Sequence, residues 1–278
     1  MTNFQTSIAD KPEIGLEGHI YTNNNNKFAI SGVVETDTIK AGRFVKLGTD
    51  ANSQIKNISA TGDVALGKLV GVALADDSRA DGFLDVSDLE NQPTALDFED
   101  GESVAVLKSG SVIMVPETAM TSASTVYIRH AGKEQVQTIV FSADLIADNV
   151  INGKVNGTSI SAITYGTSNA ATLTAIAGAI ANADSDVKSA VSDGTHTITV
   201  TTVMDAEDVV LSNFAVTAGV SQATVAITET VASINTSNIG RIRNDVDGGT
   251  ATISPTGSCR VLNSCAANGK AILNLSIN

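Results

Sequence analysis

Between residues 28 and 133 the chain advances in short β-branched runs, each cut by glycine, serine or aspartate, and no helical period competes with them. Phe28-Ala-Ile-Ser-Gly-Val-Val is one such run, and Gly42-Arg-Phe-Val-Lys-Leu-Gly alternates with period two. Leu69-Val-Gly-Val-Ala-Leu-Ala is apolar throughout. Ser103 to Val115 reads as two runs around a Ser109-Gly110 turn, and Thr125-Val-Tyr-Ile-Arg follows. Runs of this length, rich in β-branched residues and bounded by turn formers, predict strands. Their even spacing predicts a sandwich or a barrel.

The pattern changes near residue 134. Gln135-Val-Gln-Thr-Ile-Val-Phe opens a strand, and two Asn-Gly pairs follow at 152–153 and 156–157. Asn-Gly supplies the positive φ angles of a tight hairpin turn. Ser168 or Asn169 can cap a helix whose apolar face is Leu173, Ile176, Ala177 and Ile180. A hairpin around Asp193-Gly194 and strands near 209–211 and 223–227 follow. Short strands return from Ile239, with a Gly-rich turn at Asp247-Gly-Gly. The expected fold class is therefore mainly β, a sandwich or barrel of residues 28–133 plus 236–278 interrupted by an inserted α+β domain. The insert spans 134–235, with its self-contained part at about 136–232. Residues 1–27, with the run Asn23 to Asn26, are expected to form an extended arm. Its apolar anchors are Phe4, Ile8, Ile14, Leu16, Ile20 and Tyr21, too few for a core but enough to dock in a groove or extend a sheet edge.

Charge and composition exclude whole classes. Thirty acidic residues against 17 basic give a net charge of −13, which phosphate repels, so nucleic acid is not an expected partner. With no Trp and 4% aromatic residues, stacking platforms for bases or sugars are scarce. No run of about 18 apolar residues occurs, so no membrane-spanning helix is expected. The start, Met1-Thr-Asn-Phe-Gln-Thr-Ser, lacks the basic segment and apolar run of an export signal, so synthesis in a cytoplasm is expected. Cys259 and Cys265 have neither a redox nor a zinc spacing and are expected as reduced thiols.

No catalytic constellation is legible. His19, His130 and His196 are separated in sequence and each is expected as a surface imidazole. No Gly-x-Ser-x-Gly elbow, phosphate loop or His-Glu-x-x-His is present. A calcium loop starting at Asp77 fails at its third position, Arg79, and Asn244-Asp-Val-Asp-Gly-Gly reads better as a turn. No enzyme activity, cofactor or metal is expected.

Ile14-Gly-Leu-Glu-Gly, Ile39-Lys-Ala-Gly-Arg-Phe-Val-Lys-Leu-Gly, Gly67-Lys-Leu-Val-Gly-Val-Ala-Leu and Tyr127-Ile-Arg resemble the structural cement proteins that decorate phage capsids, with Gly240-Arg-Ile-Arg supplying a later segment. The insert is similar to a small domain of phage virion proteins, carried by Ile139-Val-Phe-Ser-Ala-Asp, Val150 to Ile160 and the helix Leu173 to Ala181. The resemblance implies a β-barrel or jelly-roll-like body in a non-enzymatic protein on the capsid exterior that binds the major capsid protein, cements its neighbouring subunits and assembles as homotrimers. It leaves the insert to contact the host surface or neighbouring decoration proteins. Two other readings remain open at this point: a tail-tube or fibre protein, and a carbohydrate-binding module.

Overall fold

A computed structural model describes residues 17–21, 27–50, 53–65, 67–75, 97–255 and 257–277. The chain forms two compact units, residues 1–131 with 238–278, and residues 132–237. The first unit contains β1 (Phe28–Val34), β2 (Ile39–Lys40), β3 (Phe44–Leu47), β4 (Gln54–Asn57), β5 (Leu69–Ala73), β6 (Asp97–Phe98), β7 (Ser103–Met114) and β8 (Tyr127–Arg129). The second holds β9 (Val136–Phe141), β10 (Val150–Val155), β11 (Thr158–Ser159), β12 (Ile163–Thr164), helix α1 (Asn169–Ala181), β13 (Val187–Ser192), β14 (Thr197–Thr202), β15 (Leu211–Val216) and β16 (Val225–Val231). The chain then returns to the first unit with β17 (Ile242–Arg243), β18 (Ala251–Ile253), β19 (Cys259–Val261) and β20 (Ala271–Ser276). The protein is mainly β, as its residue pattern predicts.

In the first unit, strands run in the order β1-β4-β3-β5-β7, and β1 pairs back onto β7 to close a small barrel. Closure removes free sheet edges, which otherwise template unwanted pairing. β20 and β19 extend the sheet from the far half of β7. One apolar cluster gathers Val45, Ile55, Val70, Val104 and Val106. A second gathers Phe44, Leu69, Val72, Leu107, Leu273 and Leu275. Leu69 and Val70, and again Val72 and Ala73, enter different clusters, because a strand points neighbouring side chains to opposite faces; the irregularity opposite Val45 and Lys46 resets the phase between the two pairs, and both faces are covered here. That explains why Leu69 to Ala73 is apolar at every position.

Two turn expectations are corrected. Ser109-Gly110 is no turn: β7 runs unbroken through it for 12 residues. Gly110 sits at φ 128°, so the strand changes partners there, from β1 and β5 to β20. Asn152-Gly153 lies inside β10, and the Phe214 ring occupies the space beside Gly153; a Cβ there would come within 2.5 Å of it. Asn156-Gly157, with φ of 48° and 78°, does form the hairpin turn between β10 and β11.

The second unit has two four-stranded sheets, β13-β14-β9-β16 and one in which β11, β12 and β15 all pair with β10. Ser168 caps α1 by accepting from the Ala171 amide at 3.2 Å. Leu173, Ile176, Ala177 and Ile180 are buried with Ile139, Phe141, Ile198 and Val200 in a core of the unit's own. Among the described residues no helix is long and apolar enough to cross a membrane.

Candidate functional site: a buried charge network and the strand it holds

Arg43, Arg129, Arg241 and Arg243 sit among predicted strands, where a charged residue is least expected. Arg129 is fully buried at the end of β8. Its guanidinium forks onto Glu117, reaches Asp247 at 2.5 Å and donates to Thr250 Oγ1 at 2.8 Å. Arg243 shares both acids, at 3.1 Å from Glu117 and 2.6 Å from Asp247, and takes Asp245 as a third partner at 2.6 Å. Burial works to lower the Arg129 pKa, but Glu117 and Asp247 outweigh it and hold the cation above its ordinary value. The Asp245–Asp247 carboxylates are thus committed to guanidiniums, consistent with a turn rather than a cation loop.

The network continues to Glu17. Its buried carboxylate pairs with Arg43 and accepts the Val115 amide at 3.2 Å. Burial pushes the Glu17 carboxyl up, against the opposing pull of Arg43, the Val115 amide and Arg241. Arg241, its cation disfavoured by burial and by nearby Arg43, donates to Asn238 at 2.9 Å and Asn268 at 3.3 Å. Four guanidiniums therefore face four carboxylates, Glu17, Glu117, Asp245 and Asp247, and the charges balance only with Glu17 in place. Gly42 makes the room: at φ +73°, a Cβ there would lie 2.2 Å from Glu17 Cγ.

Glu17 begins a short pairing onto β7. The Gly18 amide donates to Ile113 at 2.8 Å, Ile113 donates to His19 at 2.9 Å, and Tyr21 donates to Ser111 at 2.9 Å. β1 starts two residues further along the same side of β7, where Phe28 pairs with Ser109. Ile20, bridged to Val112, and Tyr21 are each 38% exposed. Phe4, Ile8, Ile14 and Leu16 lie outside the described residues, as does the acidic stretch 76–90.

The histidines are not brought together. His196 is half-exposed, 3.0 Å from Asp144. His130, expected at the surface, is buried, because its strand end packs against the 3-10 turn at Thr61–Val64; Thr61 Oγ1 lies 3.3 Å from its Nε2. Burial, then Arg129, lowers its pKa. Cys259 and Cys265 are free, and burial raises the Cys259 thiol to about 11. Among the described residues no group of three or more His, Cys, Asp or Glu could hold a metal.

The same turn supplies a pH-dependent contribution. Asp63 Oδ2 accepts from Lys46 at 2.7 Å and from the Ser59 and Ala60 amides at 2.9 Å each. Burial alone would raise this carboxyl, but Lys46 and Ser59 outweigh it and hold it at about 2. A depressed folded-state pKa stabilises above the unfolded value and is lost as pH falls through the folded one. Asp63→Asn is therefore expected to cost up to about 2 kcal/mol at pH 7. Chemical denaturation between pH 7 and pH 2 checks this: the gap between variant and parent should narrow below about pH 4.

A small closed barrel, a charge network spent on holding strands, and half-exposed apolar residues beside the N-terminal pairing define a structural binding protein. Residues 4–209, about three quarters of the chain, match the phage family described as structural cement protein (E217 gp24/Pam3 gp6). The chain belongs to that family: it is a non-enzymatic structural component of the virion capsid. The match enters the second unit and stops short of β17–β20. A solved chain from Mycobacterium phage Patience is similar at 17% identity and a TM-score of 0.40, covering 93% of this chain and 95% of that one. No curated protein matches. The sequence pattern does not mark Arg43, Glu17, Glu117 or Arg129 as site residues. The available signal was arginine at an inward position of an otherwise apolar strand.

Proposed function

We propose that the protein clamps the outer capsid surface, with residues 1–27 running along neighbouring major capsid subunits and trimers forming where capsomers meet. The observation that carries this reading is the Glu17–Tyr21 segment. Its root is fixed by a buried ion pair and three backbone hydrogen bonds, while Ile20 and Tyr21 stay half-exposed. A fixed root lowers the ordering cost when Phe4, Ile8, Ile14 and Leu16 dock, because less chain must be immobilised on binding. Bridging adds interface to subunits that packaged DNA pushes apart. The unit at 132–237 closes its own core, so it is free to face away from the capsid toward a host surface or other decoration proteins.

Removing residues 1–16, which spares Glu17 and the pairing onto β7, is expected to lower capsid occupancy at least tenfold in co-sedimentation. Replacing 136–232 by a short Gly-Ser linker should change it by less than threefold. Loss of occupancy on replacing 136–232, with the arm truncation neutral, reverses the assignment of the two parts.

A further inference from the structure

The sheet β13-β14-β9-β16 packs its inner face, through Ile139, Phe141, Ile198 and Val200, into the core of the unit. The register sets out the other face in rows. Val191, Thr199, Thr138 and Thr228 lie side by side across all four strands. The next row is Thr197, Val140 and Ala226. On the other side lie Ser189, Thr201 and Val136. None of these ten residues is charged. Val191 is 62% exposed and Val140 38%. Solvent-facing faces of antiparallel sheets ordinarily alternate to polar and charged side chains. Here six Ser or Thr and four Val or Ala take those places and no charged residue does, although residues 132–237 hold ten acidic residues and three lysines.

We propose that this face is a contact surface for a second copy of the chain, the occupant that its chemistry favours. A basic partner would be drawn to carboxylates, and these three rows carry none; Glu134, at their border, is already paired with Lys188 at 2.5 Å. A sugar is gripped by aromatic faces, and the ten residues include none. Two copies of a chain with net charge −13 repel wherever their acidic surfaces meet. An uncharged face opposite itself removes that repulsion. The sheet edges are less suited to the task. β13 carries a bulge between Val187 and Ser189 with Lys188 at it, and β16 a bulge between Glu229 and Val231. Bulges and edge lysines blunt strand-to-strand pairing.

Four strands at about 4.8 Å spacing and roughly five residues in length give a face of roughly 300 Å². A standard interface takes about 800 Å² per partner. The contact is therefore weak in dilute solution and gains its effect where copies are held close together. This rests on the capsid-cement reading, because decoration of a shell supplies that closeness.

Sedimentation equilibrium of the full-length protein up to millimolar concentration tests it. The parent should show a concentration-dependent association step. Thr199→Lys, which sets like charges opposite each other at the centre of the face, should weaken that step at least tenfold. Thr228→Lys, at a position already exposed and tolerant of a long side chain, should do the same. Thr174→Lys, the same charge change on the exposed side of α1, should not weaken it. No association in the parent, or association that both face variants leave unchanged, overturns the proposal. Capsid co-sedimentation of Thr199→Lys reads the cement function separately. Association in solution without any capsid binding by the parent sinks the cement reading and leaves the contact face standing.

Discussion

Arg129→Ala is expected to destabilise the barrel unit by about 3–5 kcal/mol, the usual cost of breaking a buried ion pair from one side. The side chain is wholly enclosed and serves Glu117, Asp247, Thr250 and the Ala131 carbonyl. Removing it leaves Glu117 and Asp247 to share Arg243 alone, and a carboxylate buried without full compensation is costly. Folded domains are stable by only about 5–15 kcal/mol, so the loss consumes a large part of the total. Arg129→Lys keeps the charge but not the planar fork, and should recover only part of the loss. Hydrogen exchange at the β8 amides, followed alongside denaturant unfolding, checks the effect in the unit that contains the network. Exchange as slow in Arg129→Ala as in the parent contradicts the account.

Gly71→Ala is expected to be nearly as damaging, at about 3 kcal/mol or more, for a steric reason. A Cβ at Gly71 would stand 2.1 Å from the Leu107 carbonyl oxygen and 2.8 Å from its carbon. Those are backbone atoms of β7, so no rotamer change relieves the clash. β5 and β7 would have to part where Val72 pairs with Leu107, which opens the barrel. Gly62→Ala is the control: nothing lies within 4 Å of its Cβ, and its effect should stay within about 0.5 kcal/mol. Thermal unfolding of the two variants against the parent decides the matter. Equal melting temperatures for Gly71→Ala and the parent are incompatible with the packing described.

Local pattern carried a good deal of this fold. Short β-branched runs became strands, Leu173, Ile176, Ala177 and Ile180 became the buried face of α1, and the family resemblance of the barrel segments held. These features depend on neighbours within one strand or one helical turn, where periods of 2 and 3.6 act. The same local view failed at Ser109-Gly110 and Asn152-Gly153. Turn-forming residues there serve a partner change and a close approach by Phe214. Both needs arise from chain far away in sequence.

The sequence by itself determined that the chain is mainly β with a helix after Ser168, acidic, and without a catalytic motif. Only the tertiary structure decided which strands close the barrel, which arginines turn inward and where the N-terminal segment is held. Glu17 meets Arg43 across 26 positions and Arg129 meets Asp247 across 118. A buried charge is tolerable only beside its partner, and no residue pattern says which distant strand will bring that partner within reach.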